Sequence, residues 1–178
     1  MRTVLSLLAA LVVGVAPAGA LTLKPLSFGQ LVSESLAIVY ARVRTVDGRW
    51  TADRTRIESV VTADAVEYLK GGLGEQIRFV VPGGEAGGRR LVLPGAPSFS
   101  PGDLVVVCLD ADGPALPHLV GLTQGVFRAT VDTRTGAVLV TPPPVLLPGP
   151  IGRGTSGRAP RPLAAFAAAV REANEAAR

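Results

Sequence analysis

Hydrophobic and polar positions alternate with a period of two over much of this chain, and that period predicts β-strands. Residues 104–109 are instead continuously apolar, which is typical of a central strand buried on both faces. Turns rich in glycine separate these segments. Strands are therefore predicted at residues 36–46, 56–69, 76–81, 104–109, 118–122, 126–131 and 137–141, with a turn at 47–49 and a final hairpin at 126–141 that ends the sheet.

Two segments have a helical period. Ser27 is a good N-cap for a short helix ending at Glu34, and Pro162 fits the start of a second helix over residues 163–176. The second helix is amphipathic, and it either docks on the strands or remains loosely tethered. Short strands framed by these two helices predict a mainly β fold, a small antiparallel OB-like barrel.

The first twenty residues have the pattern of a secretory signal peptide. Arg2 precedes an apolar run over residues 4–15, and Ala18 and Ala20 form a small-residue cleavage site. The run is shorter than the roughly 20 residues that a membrane span needs. We expect cleavage after Ala20 and a mature protein that is periplasmic or extracellular, with no membrane span.

The rest of the chain divides by composition. Residues 21–141 form the predicted barrel domain, and residues 163–178 form the C-terminal helix. Between them, residues 142–162 are dense in proline and glycine, which disfavours both helix and central strand and favours an extended linker. We therefore expect one domain followed by a linker and a helix.

Charge and composition exclude several classes of function. The formal net charge is only +4, the arginines are scattered, and aromatic residues make up 4% of the chain, so no nucleic-acid partner is expected. The single cysteine, Cys108, lies in the apolar run and predicts a buried small side chain rather than a reactive thiol. His118 is the only histidine, and no metal-binding motif is present, so we expect no metal and no cofactor.

Two pairs of acids are the nearest approach to a catalytic site. Asp64 and Glu67 lie at odd spacing on one predicted strand, which places them on opposite faces, whereas Asp110 and Asp112 flank a turn, where acids are common. No catalytic residue is assigned from these pairs. A hydrolase using such an acid pair remains an alternative function.

The segment at residues 82–103 is the most promising binding surface. It is rich in turn formers, and it is predicted to be a long loop with at most one short strand near residues 91–93. The glycine pairs within it fit turns better than a phosphate cradle. Arg89, Arg90 and Phe99 are its candidate partner-binding residues.

A wider resemblance rests on residues 37–43, 68–71, 82–84, 121 and 124–125. Over residues 31–131 the chain resembles a group of uncharacterised exported bacterial proteins and, more distantly, the netrin-like module, the OB-type barrel of the tissue inhibitors of metalloproteinases. Those inhibitors place a cysteine at the mature N-terminus, where this chain would have Leu21, so metalloproteinase inhibition is not implied. The resemblance implies a barrel that presents loops to a partner.

These observations lead to one leading hypothesis. The chain is expected to be an exported, non-enzymatic β-barrel module that binds a protein or cell-envelope partner through the segment at 82–103. The alternatives are the hydrolase and a peptidase-associated inhibitor or chaperone.

Overall fold

The computed structural model describes residues 25–113, 115–143 and 159–177. The predicted signal peptide at residues 1–20 lies outside these ranges, as does most of the predicted linker at 142–162. No helix within the described ranges is long and apolar enough to cross a membrane.

The fold is mainly β, with a helix near each end of the described chain. In chain order the elements are helix α1 (Phe28–Glu34), strands β1 (Ala37–Trp50), β2 (Ile57–Lys70), β3 (Gln76–Pro82), β4 (Gly84–Ala86), β5 (Arg89–Leu91), β6 (Leu104–Asp110) and β7 (His118–Leu119), a 3-10 turn (Leu122–Gly125), strands β8 (Val126–Val131), β9 (Val138–Thr141) and β10 (Arg161–Pro162), and helix α2 (Leu163–Ala176).

Five of these strands close into the predicted small barrel. The order is β1-β2-β3-β7-β6, and β6 pairs back onto β1. The barrel pairings are antiparallel except between β3 and β7, which run parallel where Val80 meets His118. Strand β8 pairs with β6 on the edge opposite β1, and β9 and β10 follow it outward. The hairpin at 126–141 therefore does not end the sheet. Its outer strand β9 pairs with the last two residues of the predicted linker.

Strands β1 and β6 separate two apolar cores. Alternate side chains such as Val39 and Val107 point into the barrel, and their neighbours Ile38 and Val106 face the helices. All four are fully buried. Burial on both faces explains why residues 104–109 are continuously apolar.

Helix α1 is held at its start by a reciprocal capping box. The Ser27 hydroxyl accepts from the Gln30 amide at 3.2 Å, and the Gln30 side chain accepts from the Ser27 amide at 2.9 Å.

Helix α2 docks on the core that lies outside the barrel, which includes Ile38 and Val106 and which we call the outer core. It is therefore docked rather than loosely tethered. The Phe166 ring lies 5.5 Å from Phe28 and 4.8 Å from Phe127, between ring centroids, in edge-on contacts.

Strand β1 is longer than the alternation predicted. The turn expected at residues 47–49 is wrong, because Asp47, Gly48 and Arg49 pair in register with β2. The chain reverses instead at residues 51–56. Fourteen-residue strands that pair along their whole length outweigh the local turn preference of Asp-Gly. The extension carries Trp50 to the far end of the β1–β2 pair.

Candidate functional site

The segment at 82–103 is more ordered than a loop. Its first half forms an antiparallel hairpin, in which Ala86 faces Arg89 and Glu85 faces Arg90. We call residues 84–91, strands β4 and β5 with their turn, the β4–β5 hairpin. The turn residues Gly87 and Gly88 have φ of +58° and +72°, and a type I′ turn requires positive φ at both central positions. The expectation of at most one short strand near 91–93 is therefore wrong, and the turn role of this glycine pair is confirmed.

The base of the β4–β5 hairpin is fixed to the barrel. The Gly83 amide donates to the Ile57 carbonyl at 2.9 Å, and the Ser59 hydroxyl donates to the Gly83 carbonyl at 2.8 Å. Where β4 crosses β1, a Cβ added to Gly48 would lie only 1.9 Å from the Glu85 carbonyl oxygen. Glycine at position 48 thus permits the two backbones to touch, so the hairpin lies directly on β1.

The outer strand of the hairpin is exposed to solvent. Arg89 and Arg90 are both exposed, as are the apolar side chains of Leu91 (37%) and Val92 (71%). Among the described residues, β5 pairs only with β4, so its other edge has no partner strand. The predicted partner-binding residues Arg89 and Arg90 therefore lie on an open edge, beside two exposed apolar side chains.

Arg89 also covers the only tryptophan of the chain. Its guanidinium carbon lies 6.0 Å from the centroid of the half-buried Trp50 ring, within the range of a cation–π contact. The ring forms part of an open depression lined by Trp50, Thr51, Ala52, Arg54 and Arg89. We call this depression the Trp50 pocket. Two arginines and no acidic residue line it, so it is suited to an anionic group.

The turn that carries Arg54 is held in one conformation by Asp53. The Asp53 carboxylate accepts from the Thr51 hydroxyl at 2.5 Å, and from the Thr55 hydroxyl and amide at 2.7 and 3.1 Å. These hydrogen bonds, led by that of Thr51, lower the pKa of Asp53 to about 2. Arg54 itself has φ of +56°, a left-handed conformation that is uncommon for a residue other than glycine. The conformation of this turn therefore sets the position from which the Arg54 side chain projects.

The second half of the segment is anchored rather than projecting. The half-buried Phe99 ring packs edge-on against Phe79 at 5.6 Å between centroids, and the Arg128 guanidinium carbon lies 5.4 Å from the Phe99 centroid. Arg128 also pairs with Asp103 at 2.6 Å and donates to the Ser98 carbonyl. Phe99 thus lies away from Arg89, which covers Trp50, but lines one cavity together with Arg90. A partner contact at Phe99 stays a prediction.

An apolar cavity of about 240 Å³ lies between the two halves of the segment and the mouth of the barrel. This is below the roughly 300–1,000 Å³ of typical small-molecule sites, so it fits a side chain better than a free ligand. Its walls are mostly apolar and include Val46, Val61, Val81, Leu91, Val92, Leu93 and Phe99. Ser59, Arg90 and Ser98 also line it.

The other candidate residues lie elsewhere. Asp64 forms an ion pair with Arg44, and Asp110 faces His118 across the β6–β7 ladder. Cys108 is buried, as predicted, and burial raises the pKa of its thiol to about 12. Within the described ranges, no group of three or more potential ligands (His, Cys, Asp, Glu) is placed to hold a metal ion.

Trp50 and Arg54 were missed by reasoning from the sequence. Both lie in the polar stretch between the first two predicted strands, far in sequence from Arg89. A lone tryptophan in such a stretch was the one available signal.

Comparison with protein-family models, with characterised proteins and with solved structures gives no match to this chain.

Proposed function

We propose that this chain is an exported, non-enzymatic β-barrel module that binds a protein partner through the β4–β5 hairpin. The observation that carries the proposal is the exposed outer edge of β5 on a base fixed to the barrel. Export is proposed from the signal-peptide pattern of residues 1–20. The hydrolase and the inhibitor or chaperone remain alternative predictions.

The exposed apolar side chains supply the driving force for binding. Fully burying a valine or leucine side chain is worth about 1.5–3 kcal/mol, and Val92 and Leu91 keep 71% and 37% of their surface accessible. Because the hairpin base is already fixed, little of that free energy is lost to ordering the chain. The two neighbouring arginines add charge that selects among partners.

Site-specific photo-crosslinking in the native host tests the proposal. A photo-reactive residue replaces Val92 in one variant and Val66 in another, because Val66 is also exposed, at 59%, but lies on β2 outside the hairpin. We expect a discrete adduct from position 92 and none of the same mass from position 66. Equal adducts from both positions, or none from position 92, would contradict a partner site at the hairpin.

A further inference from the structure

We infer that the partner presents an extended peptide that adds as a strand to the free edge of β5 and places a carboxylate side chain in the Trp50 pocket. This inference rests on the proposed function and names its partner class. It draws on three independent features: the open strand edge, the two unneutralised guanidinium groups, and the apolar cavity beside Leu91.

The open edge has hydrogen-bonding groups in place for a further strand. In a two-residue hairpin the residues that flank the turn, here Ala86 and Arg89, exchange the first pair of backbone hydrogen bonds. The amide and carbonyl of the next residue, Arg90, therefore point away from β4, toward the free edge. A peptide that pairs there gains ladder hydrogen bonds irrespective of its sequence.

The side chains along that edge select the sequence of the peptide. Residues at i and i+2 of a strand share a face, so Arg89 and Leu91 lie on one side of β5. Arg89 lies over Trp50 in the pocket that Arg54 also lines, and Leu91 lines the apolar cavity. A peptide with an acidic residue and, two positions away, an aliphatic residue matches both sites.

Charge argues for this class of partner over two others. Within the described part of the chain, neither Arg54 nor Arg89 forms an ion pair, so both are available to a carboxylate. Antiparallel pairing of the β5 edges of two copies through the outward groups of Arg90 would place Arg90 opposite Arg90 of the other copy, which like-charge repulsion opposes. An anionic polysaccharide would satisfy the arginines but leave the backbone edge of β5 unpaired.

A displayed library of random heptapeptides, selected on the full chain, identifies the sequence preference. We expect enrichment of an acidic residue two positions from an aliphatic one. Binding of the enriched peptide, measured by fluorescence anisotropy, should weaken about tenfold in Arg54→Gln and in Arg89→Gln, the loss expected for one charge-assisted hydrogen bond. The exposed Arg134, in the turn between β8 and β9, provides a matched control, and Arg134→Gln should bind normally.

Two substitutions at Arg90 separate backbone pairing from charge. Arg90→Pro removes the outward amide, whereas Arg90→Gln removes the charge and keeps the amide. We expect Arg90→Pro to bind at least tenfold more weakly than Arg90→Gln. Hydrogen exchange on the unmodified protein provides a second readout, because the Arg90 amide should become protected when the peptide binds.

Each contrary result removes a defined part of the inference. Enriched peptides without an acidic residue, or unchanged binding by Arg54→Gln and Arg89→Gln, would overturn the carboxylate site. Equal binding by the two Arg90 variants, with no protection of the Arg90 amide, would overturn strand addition. If position 92 forms its adduct but the library yields no binder, the peptide class is wrong. It is also wrong if the chain binds polygalacturonate, used as the probe for an anionic polysaccharide, and binds no peptide. The proposed function fails instead if position 92 forms no adduct.

Discussion

Gly48→Ala is expected to displace the β4–β5 hairpin while leaving the barrel closed. The added Cβ would lie 1.9 Å from the Glu85 carbonyl oxygen, and also 2.8 Å from the Glu85 carbonyl carbon. Real Cβ contacts are essentially never shorter than 3.0 Å, and both groups here are backbone, so no side-chain rotation can relieve the clash. The two strands must therefore separate by about 1 Å.

The cost of that separation follows from overpacking. Inserting one methyl group into a tightly packed contact costs typically about 1–3 kcal/mol, and each kcal/mol lowers the Tm of a chain of this size by roughly 2–4 °C. Gly72→Ala is the matched control, because nothing lies within 4 Å of a Cβ added there.

Urea unfolding and tryptophan fluorescence measure the two parts of this prediction. Urea titration should show a lower free energy of unfolding for Gly48→Ala and little change for Gly72→Ala. Trp50 is the only tryptophan, and it contacts the hairpin through Arg89, so its emission should shift in Gly48→Ala even in the folded state. If Gly48→Ala matches the control in both stability and emission, the close crossing of β1 and β4 is wrong.

Three further predictions concern the outer core and helix α1. Because burial raises the pKa of Cys108 from 9.0 to about 12, the folded state favours the neutral thiol. The stabilisation from the neutral Cys108 thiol is present below pH 9 and is lost as the pH rises from 9 toward 12. Over that range the free energy of unfolding should therefore fall less steeply in Cys108→Ala than in the unmodified protein. Phe166→Ala, in the outer core, should cost about 3–5 kcal/mol in urea titration, whereas the exposed Glu172→Ala should change stability by less than about 0.5 kcal/mol. Gly29→Ala should raise the Tm, because alanine in a helix is favoured over glycine by about 1 kcal/mol and the added Cβ meets only the Ser27 hydroxyl, at 4.0 Å; a lower Tm would contradict the geometry of α1.

The barrel was predictable because its pattern is local. Alternation and turn residues located the main strands to within a few residues, and Ser27 marked the start of α1. The predictions failed where pairing between segments distant in sequence determines the strand boundaries. The Asp-Gly of residues 47–48 indicated a turn, but fourteen-residue strands keep it extended. The pairing of Arg161 with Val140 could not be predicted, because the proline-rich stretch between them disfavours strands.

The candidate site was predictable only in part. The composition of residues 82–103 pointed to the segment, and Arg89 and Arg90 do lie exposed on it. Its division into a projecting hairpin and an anchored half depends on Arg128 and Phe79, which are remote in sequence from Phe99. The Trp50 pocket depends likewise on two turns more than thirty residues apart. Such contacts leave no periodic signal in the sequence.

Hydrogen exchange on the full chain in complex with the partner that photo-crosslinking identifies tests the central claim most directly. The measurement compares the protection of backbone amides with and without that partner. We expect new protection at residues 84–93, strongest at Arg90, and little change in helix α2. Protection confined to the anchored segment or to α2, with the β4–β5 hairpin unchanged, would contradict the account.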